Sequence, residues 1–197
     1  MIIYLIRHGE TTGDIEDRYG GDYDDHLTAR GRNQAEELAD KLTSRGIQKL
    51  ISSPKIRARE TAEIVNKKLN LPVEIVEDLR ERNAYGILTG LTKTEAKQRF
   101  PHEVREVKSY KNTIAGAENY DKFWTRIEKA IVKIAKENFE VVAIISHGGP
   151  MRAVFREKLL AGSEIVVADC AFAVIEIDGD NWRLIKSYGI SKEEDGQ

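Results

Sequence analysis

The chain has 197 residues, 41% of them hydrophobic, with 31 Lys and Arg against 33 Asp and Glu and a net charge of -2. That balance excludes the uniformly basic field of a general nucleic-acid binder, and the length suits one core that buries about two-thirds of the unfolded surface. The single cysteine, Cys170, cannot form an internal disulfide, and no Cys/His spacing matches structural zinc, so the expectation is one domain over residues 1–190 in a reducing cytoplasm.

The chain opens on an apolar run over residues 2–6, which Arg7 interrupts long before it reaches the length of a signal core or a membrane span. Residues 2–6, 49–52, 73–76, 141–146 and 171–177 are short, rich in β-branched side chains and bounded by polar turns, which predicts buried strands. Between them, Ala35, Leu38, Ala39 and Leu42 mark the apolar face of one helix, with Thr28 able to cap it and Gly46 to close it. Phe123, Ile127, Ala130, Ile131 and Ile134 mark another, and Pro150 suits the first turn of a helix after Gly148-Gly149. Asp178-Gly179 turns the last run into an antiparallel partner ending near Ser187. Alternating strands and amphipathic helices predict an α/β fold: three layers, αβα, around a mostly parallel sheet with an antiparallel edge.

Residues 91–117 lack sustained periodicity beyond one short helix after Thr92, and contain Pro101, so they read as a lid excursion. Six cations there, Lys93, Lys97, Arg99, Arg105, Lys108 and Lys111, face three glutamates, which predicts that the lid draws in a multiply anionic substrate. The polar residues 191–197 are expected to fray.

Two of the four histidines, His8 and His147, follow an apolar strand and precede glycine. The carboxyl ends of strands in an open α/β sheet are where ligands bind, so both imidazoles are expected in one crevice. Arg7 adds a planar fork of donors for a phosphoryl group, and Arg57 begins a helix just after Ser52-Ser53, where a solvated helix face is an equal reading. Glu81 follows the third strand and is the carboxylate nearest a strand end, with a surface ion pair as its bland alternative.

Arg7-His8-Gly9-Glu10-Thr11 resembles the signature of the histidine phosphatase superfamily, the phosphoglycerate mutase-like proteins. Four more blocks agree in order: Gly21 through Asp24 with Leu27-Thr28, Gly31 and Gln34-Ala35; Ser52-Ser53 with Arg57 to Ala62; Leu79-Arg80-Glu81; and Ser146-His147-Gly148-Gly149. The resemblance implies a phosphoglycerate mutase-like fold and a metal-free, cofactor-free site. In it His8, Glu81 and His147 are catalytic, Arg7, Arg57, His147 and Gly148 hold phosphate, Arg59 is a bystander, and Asp14, Gly21 and Thr11 are further candidates. Two departures stand out: Asp14 replaces an asparagine that usually touches phosphate, and one extra residue separates Glu81 from Gly86.

The implied reaction is attack by a neutral His8 on a phosphomonoester, giving a phosphohistidine, with Arg7, Arg57 and a protonated His147 steadying the charge and Glu81 moving the proton. Hydrolysis is favoured over a phosphoglycerate mutase, because 197 residues leave little room for the insertions and tail of a mutase that must keep water out. A metal-dependent hydrolase and a non-catalytic phospho-ligand binding module are the other readings. The expected partner is a small anionic phosphorylated metabolite, with a homodimer as an option and neither nucleic acid nor membrane. Asp14 is expected to turn from the phosphate, toward Arg18 or toward backbone amides.

Overall fold

The computed structural model describes residues 1–159 and 165–192. In chain order the elements are β1 (Ile2–Arg7), α1 (Thr12–Ile15), α2 (Ala29–Leu42), β2 (Lys49–Ser52), α3 (Ile56–Leu69), β3 (Val73–Ile75), α4 (Lys93–Arg99), α5 (Pro101–Glu106), α6 (Tyr120–Ala135), β4 (Val141–Ser146), α7 (Gly148–Val154), β5 (Ile165–Asp178) and β6 (Asn181–Lys192). They build one six-stranded sheet in the order β3-β2-β4-β1-β5-β6. The first four strands run parallel, while β5 and β6 form the antiparallel edge, so the sheet is the mixed α/β kind that the alternation predicts.

The unbroken apolar runs exist because both sheet faces are covered. Ile3, Leu5, Ile51, Val142 and Ile144 pack toward α6 and α7, whereas Ile6, Leu50, Ala143 and Ile145 pack toward α2 and α3. Each fully buried Leu, Ile or Val among them contributes about 1.5–3 kcal/mol. Because β1, β2 and β4 are parallel neighbours, their carboxyl ends stop side by side. The next residues, His8, Ser53 and His147, are thereby gathered at one rim.

Several boundaries differ from expectation. The third strand is not buried: β3 is the sheet edge, and Val73 and Ile75 are exposed while Val76 turns inward against the core. Gly46 does not close α2, which ends at Leu42 with Thr43 as its cap; Ser44 and Gly46 carry the turn with positive φ. The last strands are longer than their apolar stretches, and Ser191 and Lys192 are paired in β6 rather than frayed, while residues 193–197 lie outside the described residues.

The excursion after Leu91 holds the expected α4, capped by a reciprocal Thr92–Glu95 box, and a second helix that the sequence reading missed. Pro101 is the first residue of α5, where its absent N–H costs nothing. Ala96 packs with Leu88 and Tyr19, with Leu91, Phe100 and Val104 around them, in a satellite core. Among the described residues no helix is long and apolar enough to cross a membrane.

Candidate active site

His8 stands at the end of β1, 5% exposed. Its Nδ1 lies 2.8 Å from the Gly9 carbonyl, which can only accept, so Nδ1 carries the proton and Nε2 is the lone-pair nitrogen. Arg57 Nε donates to that nitrogen at 3.1 Å. His147, fully buried at the end of β4, shares a 2.7 Å hydrogen bond through Nε2 with Ser53 Oγ, and its Nδ1 is buried without a partner among the described residues. The two rings meet edge to face with centroids 5.1 Å apart.

Burial, followed by the charge of Arg57, holds the pKa of both imidazoles well below that of a free histidine. His8 is therefore neutral, as attack on phosphorus needs. His147 is neutral as well, which corrects the expectation of a protonated donor. The cause is burial first, and then the charge of Arg57 with smaller contributions from His8, Arg7 and Lys55.

A stability prediction follows from these two groups. Their folded pKa values lie below the unfolded value of about 6.5, so the unfolded chain takes up protons first as pH falls. Stability should be level above about pH 7 and should fall below about 6.5, by up to about 1.4 kcal/mol per pH unit for each histidine. Denaturant unfolding in phosphate-free buffer at pH 7.5, 6.5 and 5.5 tests this, with His147→Gln expected to give the shallower profile; equal profiles would show that His147 is charged in the folded state.

The arginines are more firmly held than a free fork for phosphate would be. Arg57, at the first turn of α3 and 4% exposed, donates to the carbonyls of Tyr23 and Gly21 at 2.7 and 2.9 Å and pairs with Asp25 at 2.9 Å. Gly21 offers its carbonyl from a φ of +86°, which an L side chain rarely adopts. Arg59 is exposed. Arg7 donates to the Val167 carbonyl at 2.6 Å and pairs with Asp169 at 3.1 Å.

Asp25, Val167 and Asp169 are supporting residues that the sequence reading missed. The last two belong to an irregular stretch of β5, where the pairing register with β6 shifts between Val167 and Phe172 and Cys170 has a φ of +53°. The Cys170 N–H donates to the His8 carbonyl at 3.1 Å, so one bulge steadies both members of the Arg7-His8 pair. The Cys170 thiol, pushed up to about 12 by burial, is a core group.

Glu81 is placed by backbone. Its two carboxylate oxygens accept from the N–H groups of Arg82 (2.7 Å) and Gly149 (3.0 Å), the latter in the first turn of α7. A Cβ at Gly149 would lie 2.0 Å from Glu81 Oε1, so this approach requires glycine. Arg126, on α6, donates to the carbonyls of Asp78, Arg80 and Glu81 while binding Glu118 with both forks. Arg82 donates to the carbonyls of Glu118 and Tyr110 and so ties the end of the excursion to the same segment. These two arginines clamp the segment that carries Glu81. Only an arginine six residues into a helix signals the first of them, which is too common a feature to read.

A pocket of about 190 Å³ is lined by Arg7, His8, Arg57, Gly148 and Glu81 among others, and it opens beside a larger cavity of about 480 Å³. Gly21, Glu81, Tyr85 and Arg152 line both. Of the excursion's six cations only Lys108 lines the larger cavity. Lys93 sits over Tyr19 and beside Asp17, and Lys97, Arg99 and Arg105 are exposed.

Asp14 turns to backbone, not to Arg18, whose Nε is taken by Glu16. Thr11, 2% exposed, caps α1, and Asp14 Oδ2 accepts from the Thr11 N–H (2.9 Å) and hydroxyl (2.8 Å). Its other oxygen is 3.8 Å from Arg7. Asp14→Asn keeps an oxygen for the Thr11 N–H, so kcat/KM for a phosphomonoester should change by less than about threefold, or roughly 0.65 kcal/mol. A large gain that grows from pH 5 to pH 8 would show the carboxylate facing phosphate.

The fold and the site define a class: α/β proteins with two buried histidines at the carboxyl ends of adjacent parallel strands, attended by arginines. The model of the histidine phosphatase superfamily (branch 1) matches residues 3–188, and the chain belongs to that superfamily. It is 29% identical to the uncharacterised phosphatase PhoE of Bacillus subtilis, over 98% of this chain and 97% of that protein. It is 30% identical to the metal-independent phosphoserine phosphatase of Arabidopsis thaliana, covering 94% of this chain and 80% of that one. Among solved structures, the alpha-ribazole phosphatase of Shigella flexneri superposes with a TM-score of 0.81 at 25% identity, over 93% and 94% of the two chains.

Proposed function

We propose that the protein is a metal-independent phosphatase that hydrolyses a small phosphomonoester through a phosphohistidine on His8. The observation that carries this reading is the place of Glu81, on the boundary between the small pocket that holds His8 and the larger cavity beside it. A phosphoryl group seated with His8 and Arg7 puts the rest of the ester in the larger cavity and the bridging oxygen near the Glu81 carboxyl.

His8 Nε2 attacks phosphorus in line, the phosphorus–oxygen ester bond breaks, and a proton on Glu81 goes to the departing alkoxide. Water then attacks the phosphohistidine, returns a proton to Glu81 and releases inorganic phosphate from His8. Arg7 and the backbone at the start of α7 supply fixed positive charge and dipole for the phosphoryl oxygens, and the Arg57 Nε–H, which otherwise donates to His8 Nε2, passes to a phosphoryl oxygen and so frees that lone pair for attack. The carboxylates on Arg7 and Arg57 fix their orientation, which favours a preorganised site over a mobile one.

Labelled substrate quenched during turnover, with a chelator present, should leave an acid-labile, base-stable phosphoenzyme and free phosphate. Its absence, or loss of turnover with the chelator, would overturn the reading. Glu81→Gln should slow alkyl phosphates by about 10²- to 10⁴-fold and aryl phosphates, whose leaving groups need little protonation, far less. Equal losses on both would assign the proton to another group.

A further inference from the structure

Resting on the acid role of Glu81 in that reading, we infer that Arg126 is a positioning residue for the reaction: it fixes the backbone that carries Glu81 and so sets where the carboxyl meets the bridging oxygen. Glu81 stands where neither helix nor strand supplies a frame. A single 3-10 turn over Glu77–Leu79 ends just before it, and residues 81–84 are irregular. Carbonyls in such a stretch have no periodic partner, and leaving them unpaired away from water is costly. Here all four from Asp78 to Glu81 are taken by side chains. Ser146 Oγ donates to that of Leu79 at 2.7 Å, and the Arg126 guanidinium alone takes those of Asp78, Arg80 and Glu81 at 2.7, 2.8 and 3.0 Å.

Arg126 can hold three carbonyls because its own place is settled independently. It lies on α6, whose Phe123, Ile127 and Ile131 are buried in the core, and Glu118 accepts from its Nε and Nη2 at 2.7 and 2.8 Å. The side chains of the pair are 11% and 20% exposed, and a bidentate pair so enclosed keeps its geometry. Glu118 adds its own backbone: its N–H donates to the Asn83 carbonyl at 2.7 Å, and its carbonyl accepts from Arg82 Nε. The stretch is thereby fastened to α6 on both sides of Glu81.

Two features give this clamp a place in the chemistry. Arg126 lines neither the phosphoryl pocket nor the larger cavity, so its effect on the ester passes through the segment it holds. The Glu81 carboxylate meets the far side of the site through one backbone N–H, that of Gly149, and its position against His8 is otherwise inherited from its own backbone. A general acid must lie within hydrogen-bond reach of the oxygen it protonates, and a misplacement of about 1 Å costs up to about 10²-fold.

The test reads kcat/KM, which reports the steps up to phosphohistidine, for p-nitrophenyl phosphate and for p-methoxyphenyl phosphate, an ester of similar size whose poorer leaving group depends more on the acid. Arg126→Met should raise the ratio of the first to the second by about fivefold or more over wild type, and Arg126→Lys, which keeps the charge but not the fork, should raise it less. In a Glu81→Gln background the same Arg126→Met should leave the ratio within about twofold. Glu118→Gln loosens the pair while keeping its N–H and carbonyl; it should raise the ratio by about twofold or more, and it carries the test if Arg126→Met does not fold. An equal fall on both esters in these variants, or a rise that persists without Glu81, would overturn the inference and leave the acid role standing. A flat ratio in Glu81→Gln itself would instead remove the acid role and the inference with it, whereas absence of phosphoenzyme from both esters in the wild type would remove the phosphatase reading beneath them.

Discussion

His8→Ala should lower kcat by at least about 10⁴-fold and abolish phosphoenzyme labelling, while leaving the protein folded. The substitution removes the Nε2 lone pair, for which no nearby group substitutes in the same position. His147 is the nearest alternative, but it is fully buried and does not line the pocket that His8 faces. The acid limb of kcat/KM in the wild type should also lie below the pH range in which a free histidine titrates, since burial and the charge of Arg57 hold the His8 pKa down. Turnover of His8→Ala within tenfold of wild type, with labelling retained, would transfer the nucleophile to another residue.

Arg57→Ala should be the most destabilising single change in the site, at about 3–5 kcal/mol. The loss is not mainly that of an attraction. It leaves the Asp25 carboxylate, 7% exposed at its side chain, and the carbonyls of Gly21 and Tyr23 without their donor. The prediction has an internal control: Arg57→Met combined with Asp25→Leu removes both charges and should recover much of the stability, though none of the activity. Denaturant midpoints of the two variants decide it. A double variant no better than Arg57→Ala would mean that the carbonyls, not Asp25, dominate the cost.

The sheet and its covering helices were legible because burial on both faces leaves an unmistakable trace. Residues 2–6 and 141–146 are apolar without alternation, and the α2 and α6 faces repeat at helical spacing. His8 and His147 were legible for a related reason: parallel strands end together, so two histidines at strand ends must meet. What escaped was set by contacts distant in sequence. Nothing around Asp169 signals a bulge, since its role is defined by Arg7, 162 residues earlier in the chain. Asp25 sits inside an acidic run where any member could have been the one turned inward. The exposed edge of β3 was misread because apolar composition reports burial only where a neighbour exists, and a terminal strand lacks one. Pro101 reads as an interruption or as a start according to what precedes it, and the satellite core that decides the matter draws on Tyr19 and Leu88.

The order of strands also bears on how the molecule is made. β1 is synthesised well before its two neighbours, β4 and β5, which span residues 141–146 and 165–178. At about 5–20 residues per second the apolar β1 waits on the order of ten to thirty seconds for the partners that cover its edges. Loop closure over such separations makes this sheet slow to nucleate and exposes β1 to mispairing in the interval. His8 follows β1, but the cradle around it can close only once β5 has been made.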